Sequence, residues 1–191
     1  MEEKSLLMVG VGGQGTVLMS KILSEGLLDS GFDVKMCEIH GMAQRGGSVT
    51  TQIRYGEKVY STCIGKASAD VIVAFEKAEA IRYLDYLKED GILIINDYAI
   101  YSLPVLTGKA TYPEEVVEVL RDKVKNIRVF NANMAAAELG NSKAQNMVLM
   151  GMTVKALGLE KVDWMKHIEN HVPEKLWSLN KAAYRRGLTA V

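Results

Sequence analysis

Cysteine is almost missing from this chain. The two present, Cys37 and Cys63, sit in strand-like runs and form no CxxC pair, which argues against a zinc site, an iron–sulfur cluster or a disulfide framework built by this chain. Net charge is missing too: 23 basic residues balance 23 acidic ones, so charge gives no reason to expect a nucleic-acid or membrane partner. No run approaches the roughly 20 apolar residues that a membrane span needs. Met1-Glu-Glu-Lys lacks the basic start and small-residue cleavage site of a signal peptide. The expected location is therefore the reducing cytoplasm. With three prolines (Pro104, Pro113 and Pro173), no repeat, no low-complexity tract and no visible linker, residues 1–191 are expected to form one domain. A 48% apolar content suffices for one substantial core.

Self-contained catalytic signatures are scarce as well. There is no G-x-x-x-x-G-K-[ST] for a nucleoside triphosphate, no serine in a nucleophile elbow and no sequence-local activator beside either cysteine. The three histidines, His40, His167 and His171, make no metal motif with nearby Cys, Asp or Glu. His167 and His171 are four apart on an expected helix, a spacing that can hold a metal, although a solvent-exposed or capping role is the plainer expectation.

What is present is an alternation of strand and helix patterns. Residues 5–9 form a short apolar run, and Val17, Leu18, Ile22, Leu23 and Leu27 then recur at helical spacing. Gly31 suits a helix C-terminus, and 33–38 supplies a second strand, completing a right-handed βαβ unit. Strand-like runs at 48–54 and 58–63, joined by Tyr55-Gly56-Glu57, predict a β-hairpin. Strands at 70–75, 91–95 and 126–130 follow, with helices from about 77 to 87 and behind Pro113. From Asn133 onward the chain reads as helical. Six consecutive apolar residues, Met147 to Met152, predict a helix buried on nearly all sides, against either this chain's own core or a partner subunit. The expected fold is α/β: a Rossmann-like, mostly parallel sheet with an inserted β-hairpin and a helical C-terminal part.

Two glycine clusters punctuate this pattern. Gly10, Gly12 and Gly15 satisfy G-x-G-x-x-G between a strand and a helix, where bare amides and the helix dipole can receive a phosphate. Gly13 and Gln14 lie within the same turn. Glu38 falls near the place of a ribose-binding acid, so a stand-alone NAD(P)-binding oxidoreductase or sensor is one open reading. The second cluster, Gly41-Met-Ala-Gln-Arg-Gly-Gly-Ser48, must be loop between two strands. Its Arg45 can offer a bidentate fork to phosphate or carboxylate, Gly46 and Gly47 permit close backbone approach, and Gln44, like Gln14, is an uncharged donor. A competing role for Arg45 is to pin the loop or to pair across subunits. The other strand ends carry Glu76, Asn96 with Asp97, and Asn131 with Asn133, residues that strand-to-helix loops supply in any α/β protein.

Gly10-Val-Gly-Gly-Gln-Gly15 followed by Glu38-Ile-His-Gly-Met-Ala-Gln-Arg-Gly-Gly-Ser48 resembles the gamma-type component of the 2-oxoacid:ferredoxin oxidoreductases. Within that family the spelling around His40 is most similar to the indolepyruvate type, with the pyruvate, 2-oxoglutarate and branched-chain types as alternatives. Lys66-Ala-Ser-Ala-Asp70 and Asn146 extend the similarity along the chain. The resemblance implies a complex in which a larger partner subunit carries thiamine diphosphate and iron–sulfur clusters, this chain holding no cofactor alone. It further implies that a 2-oxoacid (aryl pyruvates for the indolepyruvate type), coenzyme A and oxidised ferredoxin become acyl-CoA, carbon dioxide and reduced ferredoxin. Gly10, Gly12, Gly13, Gln14, Gly15, Glu38, Gln44, Arg45, Gly46 and Gly47 are then the expected binding residues. No residue is assigned as acid, base or nucleophile; His40 is the most tempting candidate, and a loop-fixing role is the plainer expectation for it. A non-catalytic bracing subunit is the third reading.

Overall fold

The computed structural model describes residues 3–41 and 46–190. β1 (Lys4–Val11) is buried along nearly its whole length and leads through the first glycine cluster into α1 (Thr16–Asp29). Gly31, at φ +87°, lets the chain turn off that helix in the left-handed region that glycine tolerates without strain. β2 (Asp33–His40), β3 (Ser48–Gly56), β4 (Ala69–Ala74), α2 (Lys77–Arg82), β5 (Leu87–Asn96), α3 (Leu103–Leu106), α4 (Val116–Lys123) and β6 (Asn126–Phe130) follow. The rest is helical: α5 (Ala132–Glu138), α6 (Gln145–Leu157), α7 (Trp164–His171) and α8 (Trp177–Leu188). α2 stops sooner than its apolar pattern suggests, giving way to a single tight turn at Leu84–Tyr86, and α4 opens at Val116 rather than directly behind Pro113.

The six strands are ordered β2-β3-β1-β4-β5-β6. β1, β4, β5 and β6 pair in parallel, while β3 lies antiparallel between β1 and β2, so β3 alone runs against the others. The expected antiparallel pair is therefore present, but its arms are β2 and β3 rather than 48–54 and 58–63. Both edges of β3 are taken by β1 and β2, which leaves no ladder for the later segment to join. Residues 57–68 instead cross the sheet face as an extended strap. The Arg54 guanidinium ties it down by donating to the carbonyls of Ser61 and Cys63 (3.4 and 3.0 Å), and Gln52 accepts from the Ile64 amide (2.6 Å). Cys63 thus lies on the exposed strap and not in a strand.

Strand alternation divides the core into two layers. Leu6, Met8, Ile53, Val71, Val73 and Ile94 face α1 and the C-terminal helices, and Leu7, Val9, Ile72, Ala74, Leu93 and Ile95 face α2 and α4. α6 is buried from Gln145 to Val154, and this chain's own α1, α5, α8 and sheet enclose it, so internal packing accounts for its all-round apolar pattern. Among the described residues no helix is long and apolar enough to cross a membrane.

α6 and α8 touch backbone to backbone. A Cβ on Gly151 would stand 2.2 Å from the Tyr184 carbonyl oxygen, and one on Gly187 would stand 2.0 Å from that of Val148. Neither obstacle is a side chain that can swing aside. Gly151→Ala or Gly187→Ala is expected to force the helices apart at a cost of about 3 kcal/mol, the upper part of the usual range for overpacking. Urea titration would read this as a lower midpoint at unchanged slope.

Candidate functional site at the carboxyl edge of the sheet

The first glycine loop leaves β1 beneath the end of β4. Gly10 has no room for a side chain, because an added Cβ would meet Phe75 Cβ at 2.8 Å. Its role is packing. Gln14, expected as a donor toward a ligand, is 5% exposed and works inside the loop: its Oε1 accepts from the Val11 amide (2.7 Å) and its Nε2 donates to the Phe75 carbonyl (2.8 Å). Gly15 caps α1 in the left-handed conformation at φ +85°, and its carbonyl accepts from Asn146 Nδ2 at 3.3 Å. Among the described residues no side chain caps α1, and no carboxylate lies in its first turn. Its leading amides therefore open onto the space in front of Gly13, the arrangement that attracts an anion.

The second loop is joined to the first through the main chain. Gly12 N–H donates to the Gly47 carbonyl (2.9 Å), and Gly46 N–H donates to the Gly12 carbonyl (3.4 Å). Behind Gly47, Ser48 Oγ donates to the buried Glu79 carboxylate on α2, which also receives Arg82 Nε (3.0 Å). Glu38 accepts from Ser20 Oγ of α1 (3.1 Å), and exposed His40 has its Nδ1 3.1 Å from the Gly41 carbonyl oxygen. Gln44 and Arg45 lie outside the described residues. A cavity of about 670 Å³ gathers Gly12, Gly13, Gly15, Lys21, Glu38 and His40 along its wall. Five of the expected site residues, the three glycines with Glu38 and His40, thus meet in one place.

Glu76, Asn96 and Asn131 are taken up in structural hydrogen bonds, whereas exposed Asp97 pairs with Lys77 (3.5 Å) and Asn133 lines a further cavity. Glu76 caps α2 by accepting from the Glu79 amide (3.1 Å), and it also accepts from the Ile100 amide (3.2 Å) and the Tyr112 hydroxyl. Burial, and then that carboxylate, push the Tyr112 hydroxyl well above its ordinary pKa. Asn96 is fully buried and bonded to Phe75, Gln145 and Ala132, while Asn131 caps α5 through the Met134 amide (2.7 Å). These groups knit the helices to the sheet.

A contribution that the sequence pattern does not disclose comes from α7. His171 lines both the first cavity and a second one of about 390 Å³ on the other side of α1's first turn. Its Nε2 stands 3.1 Å from Glu25 Oε2, and its Nδ1 stands 3.0 Å from the His167 carbonyl oxygen. His167 is 2% exposed and lies 3.4 Å from Glu25 Oε1, so of the expected solvent-exposed or capping roles the exposed one does not hold for it, while His171 sits in the last turn of α7 against the His167 carbonyl, as a capping residue does; α7 packs on α1. The signal is a contact across some 146 positions, which local spacing cannot reveal. Among the described residues no three His, Cys, Asp or Glu side chains gather as a metal site.

Burial works to raise the Glu25 carboxyl, but the Asn170 hydrogen bond and the two histidines outweigh it and hold the group below its usual value. A depressed folded-state pKa contributes stability that is complete above the unfolded value of about 4.3 and is lost as pH falls through the folded one. Glu25→Gln should therefore flatten the decline of unfolding free energy below about pH 4.5. Denaturant titrations of both proteins at pH 7, 5, 4 and 3 check this; parallel curves would exclude the role.

The family model for pyruvate ferredoxin/flavodoxin oxidoreductase matches residues 5–190. The chain is 35% identical over 195 residues to the indolepyruvate oxidoreductase subunit IorB of Pyrococcus horikoshii, covering 100% of this chain and 96% of that relative. It is 36% identical over 190 residues to the subunit of the same name from Methanothermobacter thermautotrophicus, covering 97% and 96%. Among solved structures, 2-oxoglutarate:ferredoxin oxidoreductase from Magnetococcus marinus, with 2-oxoglutarate, coenzyme A and succinyl-CoA bound, superposes at a TM-score of 0.77 and 16% identity. That match takes in 100% of this chain and 31% of the other, and at this identity it shows the shared fold.

Proposed function

The chain belongs to the pyruvate ferredoxin/flavodoxin oxidoreductase family, and from that premise we propose that residues 1–191 form the gamma-type domain of a 2-oxoacid:ferredoxin oxidoreductase complex of the indolepyruvate type. The observation that carries this reading is the end-to-end match to two IorB subunits at 35% and 36% identity. In the proposed complex, a larger partner subunit supplies thiamine diphosphate and iron–sulfur clusters. The net reaction turns an aryl pyruvate, coenzyme A and oxidised ferredoxin into aryl-acetyl-CoA, carbon dioxide and reduced ferredoxin. Ferredoxin acts through the complex, in the cytoplasm.

This chain's own part is to bind and orient. The α1 amides with Gly12, Gly13 and Gly15 form a cradle suited to a phosphate of coenzyme A, and Lys21 adds positive charge on the same wall. Gly46 and Gly47, hydrogen-bonded to Gly12, hold the second loop against that cradle. Gln44 and Arg45 are the second loop's candidate contacts with the ligand or the partner. Glu38 and His40 border the cavity, and His40 serves the loop rather than proton transfer. The Magnetococcus enzyme, whose matching third has the same fold, binds coenzyme A.

The stand-alone NAD(P) reading is disfavoured by one feature of the sheet. A dinucleotide fold places its ribose-binding acid on the strand next to β1. Here β3 intervenes, so Glu38 on β2 is two strand spacings from β1, about 10 Å.

Reconstitution of the complex with Arg45→Ala in this chain tests the binding role. The expected result is a rise of tenfold or more in KM for coenzyme A or the 2-oxoacid, the range for losing a charge-assisted bidentate contact. Unchanged acyl-CoA formation with both KM values unaltered would remove Arg45 from the site. Full activity of the larger subunit without this chain would reduce the chain to a brace.

A further inference from the structure

The cavity on the far side of α1's first turn is lined by Gly13, Gly15, Leu18, Gln145, Leu179 and Asn180, among others; Lys143 and His171 also border it, and no described Asp or Glu does. Its volume is about 390 Å³. It adjoins the anion cradle, because Gly13, Gly15 and Leu18 border both spaces.

Two buried amides here have one end fixed by the main chain and the other end free. The Ala132 N–H donates to Asn96 Oδ1 (2.9 Å), which obliges Asn96 to present its NH2 on the other side. That NH2 donates to the Phe75 carbonyl and to Gln145, both at 3.0 Å, so Gln145 must offer its oxygen to Asn96. The Gln145 NH2 is left without a protein partner among the described residues, on a side chain 8% exposed. Asn180, 6% exposed, is fixed in the same way: its NH2 donates to the Leu176 carbonyl (2.8 Å), which leaves Oδ1 as a free acceptor among the described residues. Both free ends belong to residues that line the cavity, and neither is among the described side-chain atoms shut off from solvent without a partner, so each is open to a group that enters it.

We propose that this cavity is a second subsite of the proposed coenzyme A site, taking a neutral group that carries a carbonyl-type acceptor beside an N–H donor. The acceptor meets the Gln145 NH2, and the donor meets Asn180 Oδ1. A secondary amide of the pantetheine arm and the amidine edge of adenine share this chemistry. Either reaches the cavity from a phosphate seated on α1, since the cradle separates the two spaces by a single helical turn. The inference rests on the coenzyme A reading above.

Equilibrium binding of coenzyme A, pantetheine and 3′,5′-ADP to the reconstituted complex tests it, with the unaltered chain, Gln145→Glu and Asn180→Leu. Gln145→Glu keeps an oxygen facing Asn96 and turns the free donor into an acceptor, while Asn180→Leu removes the acceptor without adding charge. Each variant is expected to weaken coenzyme A about tenfold, the worth of one hydrogen bond, and to weaken one of the two fragments while sparing the other. The affected fragment identifies the group in the cavity. If the unaltered complex binds coenzyme A and either variant stays within about twofold of it, or both fragments weaken alike, the subsite is wrong and the phosphate cradle stands. If the unaltered complex fails to bind coenzyme A, both readings fall. Thermal melting of each variant separates loss of a contact from loss of fold, and Asn180→Leu guards against a pure charge effect of Gln145→Glu.

Discussion

One main-chain carbonyl, that of Phe75, holds the carboxyl edge of this sheet together. It accepts from Gln14 at 2.8 Å and from Asn96 at 3.0 Å, while the Phe75 amide donates to the Val9 carbonyl at 2.8 Å. Through Gln14 it fixes the turn that presents α1's N-terminus. Through Asn96 it reaches the start of α5, by way of the Ala132 amide, and the start of α6, by way of Gln145. The starts of three helices, α1, α5 and α6, are thus indexed to a single oxygen in a dry environment, where each bond is strong and each lost partner is costly. The absence of a side chain at Gly10 is part of the same arrangement, since it lets Phe75 approach β1 so closely.

The second organising feature is β3. Inserted antiparallel between β1 and β2, it delivers Ser48 at the end of β1, opposite Val11. The two glycine loops consequently leave the same point of the edge and bond to one another. A simple parallel crossover would have carried the chain after β2 onto a helix and away from the first loop. The two motifs cooperate because of this strand reversal rather than because of their separation in sequence.

Much of this was legible in the sequence, for identifiable reasons. Strands 5–9, 70–75 and 126–130 announce themselves through apolar and β-branched runs, and α1 through its 3.6-residue repeat, because these signals are local. The pairing of β3 was not local. The pattern at 48–54 is equally compatible with a partner before or after it, and the choice fell to which neighbour could fill both edges. In the site, glycine spacing correctly located the turn, but the residue type alone misled at Gln14, where a polar amide that looks ready for a ligand is used by Val11 and Phe75. His171 and Asn180 were beyond reach of motif reasoning, since they arrive on helices more than 150 residues downstream of the glycine loop they adjoin.

In open α/β sheets a ligand usually settles where neighbouring strands send their connections to opposite faces. That point lies here between β1 and β4, with α1 on one face and α2 on the other. Gln14, Phe75 and Asn96 fill it with satisfied hydrogen bonds, so the usual crevice is closed. The helix dipole and free amides of α1 nevertheless remain at its rim, and the open space has shifted sideways onto both flanks of that helix's first turn. Plugging the switch point removes the groove that would seat a dinucleotide across the sheet while leaving the proposed phosphate cradle at its rim. A ligand in the proposed cradle would extend along α1's flanks. The same internal amides that make the edge rigid thereby determine the direction from which chemistry must reach this chain.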